Sequence, residues 1–239
     1  MKAGGVPPPR AILFDVFGTL VTYQPDRGRL AYPQTHQAAG ALGFEGTHDE
    51  FVAAWDASSA RLEVAAAATC VEFSMTDAAR AFGEWCGLAI DGDDARELGS
   101  SFVAEWQVHV VPVSGAAEML HRVAGRCRLG VVSNTHDPAM VPGLLRAMGV
   151  RGCFGTMVLS VEHGFCKPHR SIYERALGDL DVAPGEAWFV GDSYEADYRA
   201  PTELGMRGLL IGPYEGVPVA PGDRLTAVTD VEAMLPETL

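Results

Sequence analysis

The chain is expected to fold as an α/β protein: a parallel sheet covered by helices, with a helical segment inserted after the first strand. Three observations carry this expectation. From residue 112 onward, short and mostly apolar runs (Arg128–Val132, Thr156–Ser160, Ala187–Val190, Gly208–Ile211) alternate with helical patterns, and a further run, Ala11–Phe14, stands near the start. Such runs suit a parallel sheet buried on both faces. The stretch from Pro33 to His109 is Ala-rich, has helical spacing and shows few strand signals, so it reads as a bundle of helices. Finally, Asp15, Ser133 and Asp192 each directly follow an apolar run. In an open parallel sheet, ligands sit beyond the carboxyl ends of the strands.

Ala11–Phe14 follows a Pro-rich lead and ends at Asp15, with Gly18-Thr19 behind it, so it reads as a buried strand delivering a polar turn. Helices are expected around Tyr32–Leu42, Asp49–Ala68, Thr76–Gly87 and Asp93–Val108, with Trp55, Trp85 and Trp106 in the core of the bundle. Next come a helix over Ser114–Ala124 with Ser114 as N-cap, a strand ending at Ser133-Asn134 and a helix over Pro138–Met148. The strand Thr156–Ser160, a helix over His169–Leu180 and a strand ending at Gly191-Asp192 follow. A helix over Ala196–Leu204 should be broken or shifted by Pro201, ahead of the strand Gly208–Ile211 and a last short helix near Val231–Leu235. The expected division is a sheet core of residues 1–21 and 110–239 and a helical insert of residues 22–109.

A length of 239 residues suits one domain with a good core, or a core plus a small insert. The 48% hydrophobic and 21% charged content is globular. No apolar run reaches the ~18–20 residues of a membrane span. The Gly/Pro-rich start, Met1 to Arg10, has no apolar core of a signal peptide, so a cytoplasmic protein is expected. A net charge of -13 argues against nucleic acid or anionic membrane as partners. The same field repels an anionic small-molecule substrate, which would need a locally positive pocket. Cys70, Cys86, Cys127, Cys153 and Cys166 are scattered and lack C-x-x-C spacing, which fits reduced thiols better than a zinc site.

Four short motifs carry the chemistry. They are Asp15-Val16-Phe17-Gly18-Thr19, Ser133 in Val-Val-Ser-Asn, Lys167 in Cys-Lys-Pro, and Gly191-Asp192-Ser193 with Asp197 after it. Taken singly, each is ordinary. An Asp or Ser after a strand forms turns and caps, a Lys before Pro is a surface charge, and acids near a helix start favour its dipole. Tyr173 reads as a residue packed on the sheet. Together, in this order and at these strand ends, the motifs resemble those of the haloacid dehalogenase (HAD) superfamily, strongly in the core and weakly in the insert.

That resemblance implies a Rossmann-like core, a helical cap that makes the pocket lid, and a hydrolase with Asp15 as covalent nucleophile. It implies hydroxyl donors at Thr19 and Ser133, a neutralising Lys167, and substrate contacts from Phe17, Gly18 and Asn134. It further implies Mg²⁺ held by Asp15, Asp192, Asp197 and the Phe17 carbonyl. The turn after Asp15 would aim N–H groups at the oxyanion.

One departure matters. Family phosphatases carry a second aspartate two residues after the nucleophile, as general acid and base, and here Phe17 stands there. Loss of such a group typically costs about 10²–10⁴-fold. The 2-haloacid dehalogenases have an aromatic at this place, since halide leaves without a proton. Those enzymes also hold the substrate carboxylate with a cap arginine, where this chain has Trp55-Asp56 with Arg61 out of register, and their fourth motif lacks Gly-Asp-Ser. Gly191 to Tyr198 instead resembles the Gly-Asp-x-x-x-x-Asp-Tyr segment of eukaryotic HAD-like relatives. The expected function is a Mg²⁺-dependent phosphohydrolase acting on a small phosphorylated metabolite. The alternatives are a metal-free 2-haloacid dehalogenase and a weakly active or non-catalytic binding protein. His36 and His136 are candidate replacements for the missing base. Neither substrate nor oligomeric state follows from the sequence.

Overall fold

The computed structural model describes residues 8–23 and 32–236. The Gly/Pro-rich lead (1–7), residues 24–31 of the insert and the last residues (237–239) lie outside these, with the expectations attached to them. In chain order the elements are β1 (Ala11–Phe14), β2 (Val21–Tyr23), α1 (Pro33–Ala41), α2 (His48–Thr69), α3 (Met75–Cys86), α4 (Gly92–Gln107) and β3 (Val110–Pro112). Then come α5 (Ala116–Ala124), β4 (Arg128–Ser133), α6 (Met140–Ala147), β5 (Phe154–Leu159), α7 (Ser160–His163), α8 (Arg170–Asp179) and β6 (Ala187–Gly191). A single π-helical turn, Tyr194–Arg199, leads into α9 (Ala200–Leu204), followed by β7 (Arg207–Ile211), β8 (Arg224–Leu225) and α10 (Val231–Met234).

Six strands form a parallel sheet in the order β5-β4-β1-β6-β7-β8. Side chains alternate across a strand, so Ile12 and Phe14 face Met119, Leu120 and Val231, while Ala11 and Leu13 face Ile172, Tyr173 and Ala176. Both faces of β1 are therefore buried, which is why its sequence is apolar throughout rather than alternating. Phe14 lies level with Val131 of β4 and Val190 of β6. That register brings Asp15, Ser133 and Asp192 out at one edge of the sheet.

Helices α1–α4 pack around a separate apolar cluster that includes Phe51, Trp55, Phe82 and Leu98. Three of them start with reciprocal caps: Thr47 with Glu50, Ser74 with Asp77, and Asp91 with Asp94. Each pair satisfies N–H groups that the first helical turn leaves orphaned. The aromatic rings extend this core, with Phe102 stacked on Trp55 at 4.5 Å and on Tyr32 at 4.1 Å.

Several local expectations need correction. Strands β2 and β3 pair antiparallel where the chain enters and leaves the helical segment, and they are too short to give a periodic signal. Helix α5 starts at Ala116 behind Gly115, whose φ of 77° suits glycine, so Ser114 is not its N-cap. The helix expected over Ala196–Leu204 is split into the π turn and α9, where Pro201 sits in the first turn and its missing N–H is harmless. Trp85 is not core: it is 45% exposed, with the Arg61 guanidinium 4.3 Å over its ring. Tyr173 does pack on the sheet, against Phe189. Among the described residues, no helix is long and apolar enough to cross a membrane.

Because Phe82 is fully buried among Phe44, Phe51 and Trp55, Phe82→Ala should destabilise the helical segment by about 3–5 kcal/mol. Urea unfolding followed by circular dichroism and tryptophan fluorescence measures this. A loss under 1 kcal/mol contradicts the packing described.

Candidate active site

The site grows from the end of β1. Asp15 donates its N–H to the Val190 carbonyl at 2.9 Å, which ties it to β6. The chain then makes a tight turn in which the N–H groups of Gly18, Thr19, Leu20 and Val21 bond back to Val21 and Val16. Those N–H groups are spent on the turn. Only the N–H groups of Val16 and Phe17 lack an acceptor among the described residues, so they alone fit the anion-facing role expected of the turn. Gly18 adopts φ +87°, and a Cβ there would come within 2.1 Å of the Asp192 carboxylate. Glycine is required on both counts.

Lys167 reaches in from the loop between α7 and α8. Its ammonium donates to Asp15 Oδ1 and to Asp197 Oδ1, each at 2.7 Å, and all three side chains are buried. Burial would lower the lysine pKa, but the two carboxylates outweigh it and hold the ammonium protonated. Asp197 sits in the π turn and accepts the Ser193 N–H through Oδ2 at 3.0 Å. A Cβ at Gly191 would come within 2.2 Å of the Asp197 carboxylate, so the close approach depends on that glycine. Burial, then Asp15, push the Asp197 pKa up against the pull of Lys167. Asp192 is the open member of the group, its pKa raised by partial burial and by Asp15. Asp15, Asp192 and Asp197 each offer an oxygen within 4.8 Å of the others.

Two buried polar atoms in this region have no partner among the described residues: Asp15 Oδ2 and Thr19 Oγ1. An unsatisfied buried acceptor costs about 1–3 kcal/mol, more when charged, so these atoms mark a place shaped for something else. The Ser133 hydroxyl makes one long bond, 3.4 Å, to the Asn134 carbonyl. Asn134, expected to contact substrate, also holds the main chain of Lys167. Its amide nitrogen donates to the Lys167 carbonyl and its oxygen accepts the Lys167 N–H, at 3.0 and 2.7 Å. The side-chain amide therefore clamps the loop that carries Lys167.

A cavity of about 360 Å³ lies between this edge and the helical segment. Its walls include Phe17, Trp55, Asp56, Trp106, Asn134 and His136. Phe17 is held by ring contacts to Tyr23 and Trp106 at 6.3 and 5.5 Å, so Trp106 serves this wall rather than the bundle core. His136 Nδ1 lies 3.0 Å from Glu72 Oε1 and 3.1 Å from the Phe73 carbonyl, and its ring stacks on Phe73 at 4.1 Å. His36 bonds the Gly46 carbonyl within the helical segment, beside Phe44 and Phe51, and lies away from the cavity wall. The Glu72–His136 pair was not legible in the sequence, since 64 positions separate its members and no motif marks Glu72.

The same 70–75 stretch straps the helical segment to the sheet's loops. Val71 and Phe165 form an antiparallel bridge, the Glu72 N–H donates to Gly164, the Cys166 N–H to Cys70 and the Met75 N–H to His136, at 2.8–3.0 Å. The cysteines are all free thiols, and burial pushes that of Cys166 up to about 11, which makes it a poor nucleophile.

A sequence profile of the haloacid dehalogenase-like hydrolases matches residues 9–205. The human haloacid dehalogenase-like hydrolase domain-containing protein 3 is 34% identical over 116 residues, 48% of this chain and 44% of that protein. Pyrimidine 5′-nucleotidase YjjG of Escherichia coli is 25% identical over 147 residues, 58% of this chain and 63% of that protein. These matches span about half the length of the curated relatives. A crystal structure of 2-haloacid dehalogenase from Pseudomonas syringae superimposes with a TM-score of 0.71 at 18% identity, covering 95% of this chain and 97% of that one, a likeness of fold alone. With an Asp, Ser, Lys and Asp brought together at the edge of a parallel sheet and a family profile spanning most of its length, the chain belongs to the haloacid dehalogenase-like hydrolases.

Proposed function

We propose that the protein is a Mg²⁺-dependent phosphohydrolase with Asp15 as nucleophile, and that residues 22–109 act as a cap over a core of residues 1–21 and 110–239. The observation that carries this reading is the buried, unpartnered Oδ2 of Asp15 beside Asp192. The residues fit a hard divalent cation, which favours carboxylate and carbonyl oxygens. Asp15 and Asp192 would hold it with the Phe17 carbonyl. Asp197, whose oxygens already serve Lys167 and Ser193, would act through water. Bound there, the cation would screen the repulsion between Asp15 and an anionic substrate.

The chain's own groups supply the rest. Asp15 attacks phosphorus and the P–O bond to the leaving alcohol breaks, giving an acyl phosphate that water hydrolyses. The N–H groups of Val16 and Phe17 and the hydroxyls of Thr19 and Ser133 donate to the transferring oxygens. Lys167 neutralises the charge on the nucleophile and orients it. Phe17 has no proton to give, so the leaving oxygen departs as a stable anion or is protonated by another group. The name of the nucleotidase relative supports phosphate ester chemistry. Phe17 itself favours a second reading, a 2-haloacid dehalogenase, in which halide leaves unprotonated.

Phosphate release from a panel of phosphate monoesters should depend on Mg²⁺ and disappear in Asp15→Asn with an unchanged circular dichroism spectrum. Turnover that survives the substitution sinks the nucleophile. Halide release from 2-haloacids without metal selects the dehalogenase, and tight phosphate binding without turnover selects a non-catalytic protein. By calorimetry, wild type should bind Mg²⁺ and Asp192→Ala should bind it at least about tenfold more weakly, since one charged ligand is lost. Equal binding by both removes the metal from the reading.

A further inference from the structure

His136 lines the cavity, yet it has no role in the nucleophilic step. Its setting is specific. The Phe73 carbonyl can only accept, so the shared Nδ1 carries the proton and donates toward Glu72 and Phe73. Glu72 is nearly buried, its side chain 3% exposed, and is not part of the cavity wall. His136 lines the cavity, and among the described residues its hydrogen bonds run through Nδ1, with none to Nε2. Stacking on Phe73 fixes the ring plane, and the Met75 N–H holds the His136 carbonyl. The neighbouring Thr135 is pinned in turn by Ser160 Oγ. A carboxylate behind an imidazole, with the far nitrogen open, is the arrangement that sets a histidine's tautomer and stabilises its cation.

We propose that His136, oriented by Glu72, is the general acid and base of this site, replacing the aspartate that Phe17 displaces. The inference rests on the phosphohydrolase reading. In the first step Asp15 forms a bond to phosphorus, the bond from phosphorus to the leaving oxygen breaks, and that oxygen takes the proton from Nε2. In the second, Nε2 takes a proton from water as its oxygen bonds to phosphorus, and the bond to Asp15 breaks. Phosphate and the free carboxylate result, and the imidazolium is restored. The charged groups around the ring favour this assignment. Burial alone would lower the His136 pKa, but Glu72, the Phe73 carbonyl and Glu63 on α2 outweigh it and hold it above the ordinary imidazole value. Asp56 faces the same cavity, and Asp137 is turned to the N–H groups of Ala139 and Met140. These groups favour the protonated ring over the neutral one.

The test compares Mg²⁺-dependent kcat on p-nitrophenyl phosphate, whose leaving group is a stable anion, with that on glycerol 2-phosphate, whose leaving group needs a proton. In His136→Gln the loss on the alkyl ester should exceed the loss on the aryl ester by about tenfold or more, within the range general acid catalysis supplies. An equal loss on both, or none, overturns the proposal while leaving the hydrolase reading intact. A wild type that hydrolyses neither ester overturns both. A readout that needs no turnover is the NMR titration of the His136 ring. Its midpoint should lie above about 6.5 and fall in Glu72→Gln, and the alkaline limb of the pH–rate profile should move to lower pH with it, because the acid form is then lost sooner. An ordinary midpoint that Glu72→Gln leaves in place refutes the dyad.

Discussion

One buried ammonium organises the reactive edge of this protein. Lys167 Nζ sits at 2.7 Å from both Asp15 and Asp197. Each of these charges, taken alone into the interior, would cost several kcal/mol; together they satisfy one another. The arrangement sets constraints outward from itself. Asp197 can reach the lysine only because its turn follows Gly191, where no Cβ blocks the carboxylate. Asn134 holds the main chain of Lys167 at both its N–H and its carbonyl, next to the side chain that reaches inward. With Asp192 ionised as well, three carboxylates and one ammonium leave two negative charges, which a divalent cation matches in magnitude and opposes in sign.

The parallel register supplies the other half of the assembly. Residues far apart in the chain come together because β1 lies between β4 and β6, and all three end at the same level. A sheet buried on both faces cannot slip by a residue without turning its apolar side chains out of two cores at once. The placement of Asp15, Ser133 and Asp192 is therefore protected by apolar packing along the whole length of the strands. The geometry of this edge and the stability of the sheet are the same constraint seen from two ends.

The core was legible because two simple signals coincided: apolar runs of strand length, and Asp15, Ser133 and Asp192 behind three of them. The helices of the insert were legible from their spacing, although caps such as Ser74 with Asp77 were not read. What escaped has a physical cause in each case. The β2–β3 ribbon is too short for a period, and its pairing is long-range. Trp85 looked like core because an indole is large and apolar, yet a neighbouring guanidinium covers it at the surface. The Asn134 amide could not be known to face the Lys167 main chain, since such contacts depend on how two loops approach. The pairing of Glu72 with His136 joins a helical connection to a post-strand loop and leaves no trace in local pattern.

The strap between the helical segment and the sheet has a consequence for how the molecule breathes. It ties the segment to the residues just before Lys167 and to those just after Ser133 through the N–H groups of Glu72, Met75 and Cys166. Lifting the helices away must open these bonds, while β1 and β6 can stay closed. Local openings of that kind expose particular amides to solvent far more often than global unfolding does. The three amides are thus a built-in gauge of undocking: their deuterium exchange relative to that of Phe14 or Val190 reports how often the cavity opens, and hence how often anything as large as its 360 Å³ interior can enter or leave.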